Sequence, residues 1–203
     1  MIKWGWCLLI IIVECWLVTD PTLEVFGVGQ YWLTGLLLLS LAFSAAGSFR
    51  QERQSGAMEL LLVTPLKVSQ IIGGRVRGLW QQFLPAVVLL TGVWVFIEVH
   101  LQTYLLRHGE DSSGGPLLFL LSAYLVLPMV GLYFSMLRLN FVATWLLTLV
   151  CGLGLPWLVG RLIGFVLETE AFPANLLLPQ AAVAAAAWWL LRRHLVKRRF
   201  VLT

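Results

Sequence analysis

The chain has 203 residues, of which 60% are hydrophobic and 12% are charged, with a formal net charge of +4. Soluble domains contain about 25% charged and about 45–50% apolar residues, so a soluble domain of this length could not bury so much apolar surface. Apolar runs such as 36–39 and 184–187 do not alternate with polar residues, which argues against membrane β-strands. The composition therefore predicts a single all-α integral membrane domain over residues 1–203, with lipid as its solvent.

Six apolar segments are long enough to be predicted as transmembrane helices, because each crossing needs about 20 helical residues. The first segment resembles a signal peptide, since Lys3 precedes an apolar run. However, Glu14 interrupts that run and no small-x-small cleavage site follows it, so we interpret the segment as an uncleaved span. The six predicted spans are 4–19, 29–48, 71–98, 116–137, 141–166 and 174–191.

The basic residues test this assignment, because cytoplasmic loops are enriched in lysine and arginine. With six spans both termini lie on one side, and that side collects twelve of the 14 lysines and arginines, leaving only Arg107 and Arg161 for the other. Both termini are therefore predicted to be cytoplasmic, in the cell (inner) membrane. The twelve are Lys3, Arg50, Arg53, Lys67, Arg75, Arg77, Arg138, Arg192, Arg193, Lys197, Arg198 and Arg199.

The basic C-terminal stretch 192–199 has two interpretations. It fixes the topology, or it also binds anionic lipid. Nucleic-acid binding is not predicted, because the excess charge lies beside a predicted membrane span.

No residues of the chain are predicted to catalyse a reaction or to hold a metal or cofactor. A P-loop needs a lysine after a glycine-rich turn, and none of Lys3, Lys67 and Lys197 follows a glycine. The three histidines lie outside the spans or at their edges, and the three cysteines form neither a CxxC pair nor a cluster with histidine. The sequence therefore predicts a protein that is not itself an enzyme.

Besides Arg75, Arg77 and Glu98 near the two ends of the third span, two charged residues fall inside predicted spans, where ionisable side chains are costly and are candidates for function. Glu14 lies in the first span, but Asp20 is only six residues further on, so Glu14 can also reach the outer interface. Arg161 lies near the end of the fifth span, from which its long side chain can extend outward to the interface.

The loop between spans two and three contains a short predicted helix. Gly56 can cap it, and Glu59 stands in its first turn, where a negative charge suits the helix dipole. Pro65 forces Thr64 out of the helical region and so ends the helix after about two turns. Its apolar face (Met58, Leu61 and Leu62) needs a cover, which is either the bilayer surface or another protein.

The same loop resembles the signature of ABC-2 type transporter permeases, the transmembrane subunits of ATP-binding cassette transporters. The similarity rests on Glu52-Arg53, Gly56, Glu59-Leu60-Leu61-Leu62 and Thr64-Pro65-Leu66, and it continues over 70–75. Ala57 and Met58 replace the usual Thr-Leu of the family. The family also has a longer amphipathic lead-in than the three residues that precede the first span here, so the resemblance implies a missing lead-in.

The resemblance implies that residues 50–66 form a cytoplasmic coupling helix that docks on a separate ABC-type ATP-binding subunit. ATP and Mg²⁺ would bind to that partner, and a second permease copy or a paralogue would complete a dimer, most simply for export. The coupling residues implied are Glu52, Arg53, Gly56, Met58, Glu59, Leu61, Leu62, Thr64 and Pro65. The alternatives are a non-transporting membrane scaffold or assembly protein and, less favoured, an ion-coupled secondary carrier.

Overall fold

A computed structural model describes residues 2–19, 23–49, 68–105, 115–137, 139–167 and 172–196. This described part of the chain is helical and contains no strand, which confirms the all-α prediction. The helices are α1 (Ile2–Thr19), α2 (Leu23–Gly47), α3 (Val68–Leu105), α4 (Gly115–Met136), α5 (Phe141–Leu149), α6 (Leu155–Leu167) and α7 (Phe172–Val196). A π-helical turn, Val150–Gly154, joins α5 to α6 and makes them one continuous rod.

Four helical stretches are long and apolar enough to cross a membrane: Gly29–Gly47, Ser69–Phe96, Leu118–Met136 and Phe141–Phe165. Among the residues of α1 whose side chains the structure describes, the apolar stretch is shorter and covers Trp4–Trp16. The helix α7 is not one of the four stretches that the described residues define. A helix therefore occupies each of the six predicted segments, and four of them have the length and composition of a span.

Contacts between the helices show that they run alternately up and down. A cluster of buried side chains brings together the last turns of α2, α4 and α7 and the first turns of α3. At α1 and α2, Glu14 late in one helix meets Gln30 early in the next. We call the end of the bundle that holds this cluster the basic end, because Lys3, Arg75, Arg77, Arg192 and Arg193 all belong to the helix turns at that end. The opposite end is called the acidic end, because the helix turns toward it contain Glu14 of α1 and Glu98 of α3.

The helix α4 lies at the centre of the bundle. In its apolar span 61% of the residues are buried, and it packs against α2, α3, α5 and α7. Two reciprocal bonds tie it to α3, since Trp80 Nε1 donates to the Tyr124 carbonyl at 3.2 Å and the Tyr124 hydroxyl donates to the Trp80 carbonyl. Polar groups inside a membrane need such partners because lipid offers none.

The rod α5–α6 forms one wall of the bundle. Only 22% of its span is buried, so most of its apolar surface faces outward. In the π turn the Leu155 amide donates to the carbonyl of Val150, five residues earlier, whereas in an α-helix it would donate to the carbonyl four residues earlier. The turn is therefore wider than the rest of the rod. Pro156 follows directly and has no amide hydrogen to continue the ordinary pattern. The wall therefore carries a local irregularity at mid-length, opposite Leu127 of α4, which lies close to Gly152.

Candidate functional site

The predicted coupling segment lies outside the described residues. This covers Glu52, Arg53, Gly56, Met58, Glu59, Leu61, Leu62, Thr64 and Pro65, whose predicted helix and capping stay predictions. The structure describes α2, which precedes the segment, and α3, which follows it, and these helices fix the positions of its two ends.

Both ends of the segment are anchored at the basic end. After α2 ends, the Ser48 amide donates to the Ala45 carbonyl at 3.2 Å and the chain turns. Phe49 is then buried in the same cluster as Ile72 and Val76 of α3. The Arg75 guanidinium lies 5.5 Å from the centre of the Phe49 ring, a cation–π distance. The point where the chain leaves α2 is therefore packed directly on the first turns of α3.

The same cluster reaches two further helices. Met136 ends α4 and Leu195 lies in the last turn of α7, and both are buried in it. A displacement of Phe49 or Ile72 would therefore act on α2, α3, α4 and α7 together, since close-packed interiors transmit strain. Nearby, Arg77, Arg192 and Arg193 are exposed, so this end presents positive charge to whatever faces it.

A second polar arrangement lies toward the acidic end, at the junction of α1, α2 and α3. Gln30 is fully buried, and its Nε2 donates to Oε1 of Glu14 at 2.6 Å. The Thr34 hydroxyl donates to the Gln30 carbonyl at 2.8 Å and accepts from Trp94 Nε1 at 3.1 Å. We call Glu14, Gln30, Thr34 and Trp94 the Glu14 cluster. It links three helices through side-chain hydrogen bonds.

Sequence reasoning singled out Glu14 in this cluster but missed its three partners. Gln30 and Thr34 are four residues apart, so they lie on one face of α2, and such a polar pair inside an apolar span was an available signal. Which helix packs against this polar pair could not be predicted, because hydropathy does not indicate which spans are neighbours.

Arg161, the other charged residue predicted inside a span, lies in a different part of the bundle. It is exposed on α6, with its guanidinium 5.5 Å from the Trp157 ring one turn earlier. The helix α6 packs mainly on α7, whereas α1 packs on α3 and α2. Glu14 and Arg161 therefore belong to separate helix groups and do not form one site.

The described residues offer no cluster of histidine, cysteine or carboxylate side chains that could hold a metal ion. Cys7, Cys15 and Cys151 are unbridged thiols on α1 and in the π turn. A buried amide that the sequence did not single out is Gln180 on α7, whose side-chain oxygen and nitrogen both lack a hydrogen-bond partner within the described structure.

Comparisons of the chain with protein-family models, with curated proteins and with solved structures give no match. The similarity of residues 50–66 to the ABC-2 permease signature therefore stays a prediction. What is established is that the described part of the chain is all-helical, with at least four helices suited to crossing a membrane, two of which flank the predicted coupling segment.

Proposed function

We propose that this protein is the permease subunit of an ABC-2 type ATP-binding cassette transporter, most simply an exporter, driven by a separate ATP-binding subunit. Six crossings with both termini in the cytoplasm, and pairing with a second permease, are part of the proposal. The observation that carries it is the Glu-Arg, Gly, Glu-Leu-Leu-Leu, Thr-Pro-Leu pattern between 52 and 66, in the connection between two apolar helices.

The packing around this connection suits the transmission of force. In the proposed mechanism, nucleotide-driven closure of the ATP-binding subunits displaces residues 50–66. The displacement passes through Phe49 to α2 and through Ile72 to α3, and the shared cluster carries it to α4 and α7. The wall α5–α6, of which little is buried, would then face lipid or the second permease while access to the pathway changes.

The proposal requires the basic end to face the cytoplasm. In a variant lacking Cys7, Cys15 and Cys151, single cysteines at positions 112 and 197 are expected to label from opposite sides of the membrane. An impermeant maleimide added to intact cells should label the cysteine at 112 only, because basic residues are retained inside. Both positions should label once the membrane is permeabilised, which controls for reactivity. Labelling of 197 in intact cells would contradict the six-span topology.

The proposal also requires that ATP is bound and hydrolysed by the partner ATP-binding subunit. With no P-loop in its sequence, the purified chain is expected neither to bind nor to hydrolyse ATP. An ATP-binding cassette subunit encoded beside it should co-purify with it, and the turnover of that subunit should change when the permease is present in vesicles. Hydrolysis by the permease alone, surviving removal of contaminants, would contradict the assignment.

The same experiment separates the two alternatives. A scaffold would bind its partner without changing ATP turnover, and an ion-coupled carrier would move solute without any ATP-binding subunit. The Glu14 cluster is the only feature in the described residues that favours the carrier, and it supplies a single carboxylate. Carriers commonly show internally repeated halves, and the sequence shows none.

A further inference from the structure

A buried hydrogen-bond acceptor without a donor lies beside a carboxyl group in the Glu14 cluster. Gln30 has no exposed surface, and its Nε2 donates to Glu14 Oε1 at 2.6 Å. The other amide atom, Gln30 Oε1, is buried and has no partner. Buried amide groups in proteins are nearly always fully paired, so this oxygen calls for a donor at the same place.

The carboxyl group of Glu14, already hydrogen-bonded to this amide, can supply that donor when it is protonated. A carboxylate only accepts hydrogen bonds, whereas a protonated carboxyl has one oxygen that accepts and one O–H that donates. A neutral Glu14 can thus accept from Gln30 Nε2 and donate to Gln30 Oε1, which satisfies both ends of the amide. The oxygen and nitrogen of the Gln30 side-chain amide can also be assigned the other way round. The Gln30 oxygen then lies 2.6 Å from the Glu14 oxygen, a distance typical of an O–H···O bond, so a proton between them is again required.

The surrounding charges favour the neutral form. On the helices packed around Glu14, the basic residues Lys3, Arg75 and Arg77 all belong to the basic end. Of the ionisable residues in the turns toward the acidic end, those whose side chains the structure describes are Cys15 on α1 and Tyr31 on α2, and neither is a cation. A carboxylate without an opposite charge beside it is disfavoured where lipid replaces water.

We propose that Glu14 carries a proton at neutral pH and forms, with Gln30, a carboxylic acid–amide pair that clamps α1 to α2. The pair is a proton-bearing site inside the membrane and does not depend on the proposed transport function. It is also a modification site for hydrophobic carbodiimides, which partition into lipid and react with protonated carboxyl groups. In that reaction the carboxyl oxygen bonds to the carbodiimide carbon and its proton moves to a carbodiimide nitrogen, after which the acyl group migrates to nitrogen.

The infrared spectrum tests the proton directly. With the full chain in lipid vesicles at neutral pH, the wild-type minus Glu14→Gln difference spectrum should contain the carbonyl band of a protonated carboxylic acid. In Gln30→Leu that band should move to higher frequency, because the carbonyl loses the amide donor. Glu24→Gln serves as the control and should leave the band unchanged. The appearance of carboxylate bands in place of the acid band, or an acid band unmoved in Gln30→Leu, would overturn the proposal.

Carbodiimide labelling gives a second, independent measurement that does not require Gln30→Leu to fold. Peptide mass mapping after treatment with dicyclohexylcarbodiimide should place one adduct on Glu14 in the wild type and in Glu24→Gln, and none at position 14 in Glu14→Gln. Since glutamine can form an amide–amide pair with Gln30, Glu14→Gln should remain folded. Wild-type protein that carries no adduct on Glu14 would contradict a protonated carboxyl at this site.

Discussion

Replacing Leu62 with Asp is expected to abolish association with the ATP-binding subunit and, with it, coupled ATP turnover. In the proposed docking mode Leu62 lies on the apolar face of the coupling helix, together with Met58 and Leu61. An unpaired carboxylate in an apolar contact is costly, and burying one without a partner costs about 3–5 kcal/mol. Since each 1.4 kcal/mol is a factor of ten, the affinity should fall by roughly 10²- to 4 × 10³-fold. Co-purification and turnover in vesicles measure both effects.

Matched variants separate docking from folding. Leu62→Met keeps the apolar volume and should behave like the wild type. Glu59→Ala removes a favourable charge in the first helical turn and should cost only about 1 kcal/mol. All three changes lie in a predicted cytoplasmic loop, so membrane insertion and thermal stability should be unchanged. If Leu62→Asp retains wild-type association and turnover, the coupling-helix assignment is wrong, and the scaffold alternative gains support.

Replacing Gly131 with Ala is expected to destabilise the bundle, although it adds a single methyl group. A Cβ at position 131 would lie 2.5 Å from the Ala45 Cβ and 3.3 Å from the Thr148 Cγ2. Carbon atoms prefer separations of about 3.5–4.0 Å, and both neighbours are buried, so α4 would have to move away from α2. Overpacking of this kind costs about 1–3 kcal/mol. The midpoint of thermal unfolding in detergent or lipid should fall by several degrees.

The chain supplies its own control for this effect. Nothing lies within 4 Å of a Cβ added at Gly92 in α3, so Gly92→Ala should leave the midpoint unchanged or raise it slightly. The double variant Gly131→Ala with Ala45→Gly removes the shortest contact and should regain part of the lost stability. Equal midpoints for Gly131→Ala and Gly92→Ala would contradict the close approach of α2 and α4.

Hydropathy predicted the positions of the helices well. A long apolar run can be surrounded by lipid only as a helix, in which the backbone groups are hydrogen-bonded to one another. The end of a predicted span, however, is not the end of the helix. The third predicted span ends at 98, where Glu98 and His100 make the sequence polar, yet α3 continues to Leu105 because a helical backbone does not require apolar side chains. The finer prediction of six crossings, drawn from hydropathy and supported by the charge distribution, stays a prediction.

Pairwise contacts could not be predicted from the sequence. That Gln30 lies against Glu14, or that Gly131 lies against Ala45, depends on which helices are neighbours and on their rotation about their own axes. Apolar residues surround most of these helices, so no clear stripe indicates a facing side. Similarity to a known family singled out the predicted coupling residues, whereas the Glu14 cluster was recognisable only in part, from one charged residue in an apolar run.

The cluster that closes the basic end has a consequence for how such a protein can diversify. Phe49, Ile72 and Val76 hold α2 against α3 with side chains that precede and follow residues 50–66. The packing of the helices at this end is therefore stabilised by residues other than those of the surface proposed to bind the ATP-binding subunit. If residues 50–66 dock an ATP-binding subunit as proposed, substitutions confined to them after gene duplication can change which subunit is recruited, while the helices keep their packing. Partner choice and fold can thus evolve at different rates within one small chain.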